Sequence, residues 1–246
     1  MIMKNSIFLL IITLLSVTAC NFKNDSNTTV VNIDNIVSTI IDSSQIYDIT
    51  QSPRFTRTDE QYDVIDYSQN DTTKLMVETF KSEKQEYSRQ LYYNNTKLIY
   101  SSEMGYHLTD TSETEYIINT YFLGDGSQIN FINNSSFDTK SKNYKLTDQS
   151  VKVELIKSIN AIKQHGDFEM KFGEFLVMGP QSYLILSNNK SKYDIALYIQ
   201  KGDFLLDELY TNPEKYKGKT IFINHEFIIE NGVNKMAYRG GMLMGN

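Results

Sequence analysis

The chain holds one thiol, Cys20, and three imidazoles, His107, His165 and His225. A thiol does chemistry with a partner: a base that makes the thiolate, or further Cys and His at ligand spacing that share a metal. None of the histidines has a second His or Cys at such spacing. His225-Glu226 begins like the H-E-x-x-H zinc motif, but position 229 is Ile. The local alternation is that of a strand, on which adjacent side chains point to opposite faces. Gly218-Lys219-Thr220 has the ending of a phosphate-binding P-loop. Pro213 stands where its first glycine is needed, and a strand pattern follows where a helix must aim its amides. Ser187-Asn188-Asn189-Lys190 fits S-x-x-K, but it sits in a polar hairpin tip with no S-D-N or K-T-G elsewhere. Asp125 between Gly124 and Gly126 lacks the acidic ladder of a calcium loop and reads as a type I′ turn. Asp207, Glu208, Glu113 and Glu115 read as solvated acids, although hydrolytic carboxylate pairs meet in space rather than in sequence. The residues therefore point to no catalytic set, no cofactor site and no metal site.

The segment before Cys20 gives that residue a different chemistry. Lys4 supplies a short positive region, Ile7 to Leu15 is almost wholly apolar, and Val17-Thr18-Ala19-Cys20 closes the run. Small residues just before a cleavage point suit a signal peptidase. The apolar run is too short to span a bilayer, which takes about 20 residues. The arrangement resembles the bacterial lipoprotein signal, whose lipobox reads aliphatic, small, small, Cys. The resemblance covers the leader, residues 1–19, and Cys20. It implies cleavage before Cys20, a diacylglyceryl thioether on the sulfur and acylation, such as palmitoylation, of the new amino group. It also implies a chain lipid-anchored to a bacterial membrane in the cell envelope, in the outer membrane or periplasm of a Gram-negative cell. Two or more acyl chains hold a protein stably on a bilayer.

Thirty acids against 24 basic residues give a net charge of −6. An acidic chain argues against nucleic acid as a partner and against wide contact with anionic headgroups. With a single cysteine there is no internal disulfide, so a hydrophobic core must hold the fold.

The elements follow from periodicity. Residues 20–31 are polar and aperiodic and read as a flexible tether. Ile33, Ile36, Val37, Ile40 and Ile41 repeat at helical spacing with Asn32 as cap, a strand being the alternative. From Tyr62 the period becomes two, with strands over Leu75–Phe80, Tyr87–Tyr93, Lys97–Tyr100, Glu115–Leu123 and Gln128–Ile132. Asn94-Asn95, Ser102 with Gly105, and Gly124-Asp125-Gly126 read as the turns between them. Residues 32–134 thus form a tyrosine-rich β-meander, and 135–143 a linker. Residues 144–246 form an α+β module. Its helix presents Val151, Leu155, Ile159 and Ile162 and stops at Gly166, and its strands flank a short helix capped by Asp203 and ended by Pro213. The last residues, from Gly240, are expected to fray.

Leu209 to Lys219, running into Ile221-Phe222-Ile223, resembles a lead-in found before small OB-like β-barrels in bacterial lipoproteins. Some twenty-five residues follow it, so a barrel has to use strands that precede it. The expected fold class is α+β: an antiparallel meander, a helix and a small β-rich, barrel-like module. The expected function is that of a non-enzymatic binding or structural lipoprotein presenting its tyrosine-rich sheet to an envelope protein or glycan. Burial of Tyr92, Tyr100, Tyr116 and Tyr121 would remove the sheet from that expectation. The alternatives are an envelope hydrolase, a hydrolase inhibitor or an immunity-type lipoprotein.

Overall fold

The computed structural model describes residues 24–108, 113–136 and 155–244. The leader, Cys20, the linker residues 137–143 and Val151 of the expected helix lie outside the described residues. The first element is helix α1, Asn24–Asp42. It buries Ile33, Val37 and Ile40, three of the residues whose spacing predicts it. It starts at Asn24 rather than at Asn32, so most of the expected tether is helical. Val30 packs with the same apolar cluster, extending the stripe one turn towards the N-terminus, and a turn once begun propagates cheaply.

Six long antiparallel strands form the meander: β3 (Glu60–Gln69), β4 (Thr72–Lys81), β5 (Gln85–Asn94), β6 (Lys97–Leu108), β7 (Glu113–Phe122) and β8 (Gln128–Ser136). Two shorter strands, β1 (Asp48–Gln51) and β2 (Phe55–Arg57), pair in tandem with β3. Asn95 and Thr96 both have positive φ and make the tight β5–β6 turn. Ser102 and Gly105 are not a turn. β6 runs straight through them, and Gly105 lies opposite Tyr87 in the ladder. A Cβ there would stand 2.3 Å from the Glu86 carbonyl oxygen, so the glycine permits a close backbone approach rather than a change of direction.

One face of the meander is roofed by α1. Tyr92, Tyr100 and Tyr121 stack in sequence across three strands beneath it, with centroids 5.5 and 4.9 Å apart. They are 3, 6 and 8 % exposed, and Tyr116 on the other face is 6 % exposed. Each phenol under the helix has a partner: Tyr92 donates to Gln90 at 2.7 Å, Tyr100 to Asn119 at 2.9 Å and Tyr121 to Asp34 of α1 at 2.9 Å. Tyrosine suits this place because its ring fills the core while its hydroxyl reaches a polar edge. The expected exposed aromatic binding face is therefore an internal packing layer.

After the meander, helix α2 (Leu155–Lys163) precedes strands β9 (Lys171–Met178), β10 (Gln181–Ser187) and β11 (Asp194–Tyr198). Helices α3 (Phe204–Thr211) and α4 (Pro213–Tyr216) lead to β12 (Ile221–Glu230) and β13 (Val233–Leu243). The α2 face differs from the one its apolar spacing predicts: Ile159 of the expected stripe is 38 % exposed and Ile156 beside it 75 %, while Ser158 and Ala161 are fully buried. A polar anchor on Ser158, described below, turns the helix. Asp203 caps α3 by accepting from the Leu206 amide at 2.9 Å. Pro213 does not merely end that helix; it opens α4, where its missing N–H costs nothing. The residues from Gly240 do not fray before Leu243, since Gly240 and Gly241 pair with Asn224 and Ile223.

The five C-terminal strands are ordered β9-β10-β11-β13-β12, with β11 and β13 parallel. β12 then returns to β9: Lys171 bridges Thr220, the Phe172 amide donates to the Lys219 carbonyl, and the Gly218 amide donates to the Phe172 carbonyl. A helical crossover joins the third strand to the fourth. The five strands curl into a partly open, barrel-like module, built from three strands before the lead-in and two after it.

Meander and module are not separate sheets. β11 pairs with β2 at Asp194 and Thr56, so one antiparallel path continues from the barrel through β2 and β3 to β8. The barrel core also takes Phe55, Tyr62 and Val64 from β2 and β3.

Candidate functional site

The outer face of the barrel's second and third strands carries Tyr183, Ala196 and Tyr198, because Leu184, Leu186, Ile195 and Leu197 alternate with them into the core. Two walls rise beside this face. One is the β12–β13 hairpin, turned by Asn231 and Gly232, both at positive φ. The other is the start of β2, where Arg54 and Thr56 sit. Between them lies a cleft of about 430 Å³.

The charges of the cleft are held within the protein. Arg54 donates from Nε to Asp63 at 3.1 Å and lies over the Phe227 ring, 5.0 Å from its centroid. Burial pushes the Asp63 carboxyl up from its ordinary value, and Arg54 opposes that shift. Lys235 donates to Glu230, which holds the ammonium above its usual range and the carboxylate below it. Lys235 also covers the Tyr198 ring at 4.2 Å, and the Tyr198 hydroxyl donates to Glu230 at 3.2 Å. Uncharged polar side chains complete the lining: Gln181, Asn231 and Asn234. A second cleft, of about 270 Å³, lies on the meander beside Met104, Tyr106 and Glu115, with Glu115 its single acid.

The motif fragments have structural roles. Gly218-Lys219-Thr220 is the seam that closes the barrel. Asn188 of the S-x-x-K fragment is buried, and its amide donates to the carbonyls of Gly166, Asp167 and Glu169. Asp125 accepts from the amide and hydroxyl of Ser127 at 2.8 and 2.6 Å, in a five-residue loop rather than a two-residue I′ turn. Glu208 accepts from Tyr216 at 2.9 Å, while Asp207 and Glu113 are solvated. His107 stacks on Tyr116, and His165 is exposed beyond α2.

His225 is half-buried, and its Nε2 donates to the Ser52 carbonyl at 3.0 Å. Burial pushes its pKa down, and the bond to Ser52 opposes the shift. The unfolded chain therefore binds a proton more readily than the folded one. Stability from this residue is full above the ordinary imidazole value of about 6.5 and falls as the pH drops through it. His225→Asn is expected to flatten the loss of stability between neutral and mildly acidic pH, read as urea midpoints at successive pH values.

The two acids that do meet in space are Glu78 and Glu103. They lie directly across the ladder from Arg89, on its two neighbouring strands. Arg89 bonds Glu78 at 3.0 Å and Glu103 at 2.6 Å. Tyr62 donates to Glu78 at 3.2 Å and Tyr116 to Glu103 at 2.9 Å, while Ser158 of α2 donates to Glu78. Burial alone would lower the Arg89 pKa; the two carboxylates outweigh it and hold the group charged. Both acids are committed to a buried network, and neither lines a cleft. No family model, curated protein or solved structure matches the chain.

Proposed function

We propose that the chain is a lipid-anchored binding protein of the bacterial cell envelope, with no reaction of its own. The observation that carries this is the leader: a positive start, an apolar run of signal-peptide length and Cys20 at the position a lipobox requires. The barrel cleft supports the binding half of the reading, because its polar groups converge on an open face and its one acid, Glu230, is held by Lys235. The site moves from the tyrosine meander to the barrel. Three residues separate Cys20 from α1, an upper reach of about 10–13 Å, so the helix that roofs the meander starts close to the bilayer.

A photo-crosslinking residue tests the reading when placed at Gln181 in the cleft or at Lys97 on the exposed β5–β6 turn. Irradiation of intact envelopes is expected to give a discrete adduct from position 181 and none from position 97. Absence of any adduct at 181 would remove the cleft as the site.

A further inference from the structure

We propose that the cleft takes an uncharged saccharide, an inference that rests on reading the cleft as the binding site. Two features select this ligand over a charged one.

First, the cleft offers no unmatched charge. Arg54 faces Asp63, and Lys235 faces Glu230. A carboxylate or phosphate on the ligand would have to share a cation with the protein's own carboxylate. An ammonium would meet Arg54 and Lys235 as like charges. The net charge of −6 gives a polyanion no long-range attraction either.

Second, the groups left to bind are planar and neutral. Tyr183 donates to Gln181 Oε1 at 2.7 Å, which leaves the Gln181 NH₂ free to donate outward. The side chains of Asn231 and Asn234 make no hydrogen bond to any described residue. Each amide offers a donor and an acceptor side by side, which matches adjacent sugar hydroxyls, each both donor and acceptor. Tyr183, Val233 and Met236 supply an apolar counterpart for the C–H face of a pyranose ring. The Tyr198 and Phe227 rings already carry Lys235 and Arg54, so Tyr183 is the aromatic platform that remains.

The test uses the full mature chain in detergent micelles. Neutral disaccharides, cellobiose and chitobiose, are titrated beside their charged counterparts, cellobiouronic acid and de-N-acetylated chitobiose. The readout is the side-chain amide NMR signals of Gln181, Asn231 and Asn234. At least one neutral disaccharide is expected to shift these signals, with its charged counterpart at least about tenfold weaker. Tyr183→Ala is expected to weaken binding by about tenfold or more, and the exposed substitution Asn234→Ala to act in the same direction without touching the core. Equal or tighter binding of a charged counterpart overturns the proposal, as does failure of both neutral disaccharides to shift the three amides. The crosslink at Gln181 separates the two levels. A captured protein with no saccharide binding overturns the saccharide and leaves the cleft as a binding site; no capture and no saccharide binding overturns both.

Discussion

Replacing Arg89 by Met is expected to destabilise the protein by about 3–5 kcal/mol, a large fraction of the stability of any single domain. The side chain is 15 % exposed, and its partner Glu78 only 2 %. Removing the cation leaves two carboxylates on adjacent strands without a counter-charge, and one of them also anchors α2 through Ser158. The cost comes from that stranded charge rather than from the intrinsic worth of the ion pairs. Adding Glu78→Gln and Glu103→Gln to Arg89→Met is therefore expected to recover a large part of the loss, because the amide carbonyls still accept from Tyr62, Ser158 and Tyr116 while no charge remains to desolvate. Urea denaturation of the single and triple variants measures this. A triple variant no more stable than the single one would show that the network acts through something other than its charge balance.

Phe168→Ala is expected to cost about 3–5 kcal/mol by leaving a cavity in the barrel core. Phe168 is 2 % exposed and touches three rings: Phe55 at 4.6 Å, Tyr62 at 5.5 Å and Tyr193 at 5.2 Å between centroids. Two of these rings come from the strands that begin the meander, so the lost packing belongs to both parts of the chain. Calorimetry is expected to show one transition moved down by roughly 6–20 °C, at about 2–4 °C per kcal/mol for a chain of this size. A second transition that stays in place would mean that the meander melts by itself and that the continuous sheet is not a single cooperative unit.

Most elements were legible because their signals are local. The alternation from Tyr62 onward, the spacing of Ile33, Val37 and Ile40, and the Asp203 cap each depend on a few neighbouring residues, and each is present. Gly105 misled because a glycine that admits a close strand looks, in sequence, like one that turns a chain. The α2 face misled because Ile156 counts as apolar by type, whereas the helix is oriented by the Ser158–Glu78 bond, 80 residues apart. The tyrosines were read by chemistry that suits both a core and an interface; only the α1 roof decides between them.

The site was less legible than the fold. Arg54 and Lys235 are 181 residues apart, and the cleft exists only once β2 and β13 pair at opposite ends of one edge of β11. One signal could have been found. Glu78, Arg89 and Glu103 fall at inward phases of three successive strands, beside Met76 and Phe80, Leu91 and Ser101, where a lone charge would be costly. Charges of alternating sign at such positions announce a cross-strand ladder.

The reading stands most directly on Cys20, and one measurement tests it. The wild-type chain and Cys20→Ala are expressed in a bacterial host with a labelled fatty acid, and the envelopes are extracted by detergent phase partition. Wild-type protein is expected to carry the label, begin at residue 20 and enter the detergent phase. The variant is expected to lack the label and stay in the aqueous phase or retain its leader unlipidated. A Cys20→Ala chain that still carries label and partitions into detergent as the wild type does would contradict the lipid anchor, and with it the placement of α1 close to the bilayer.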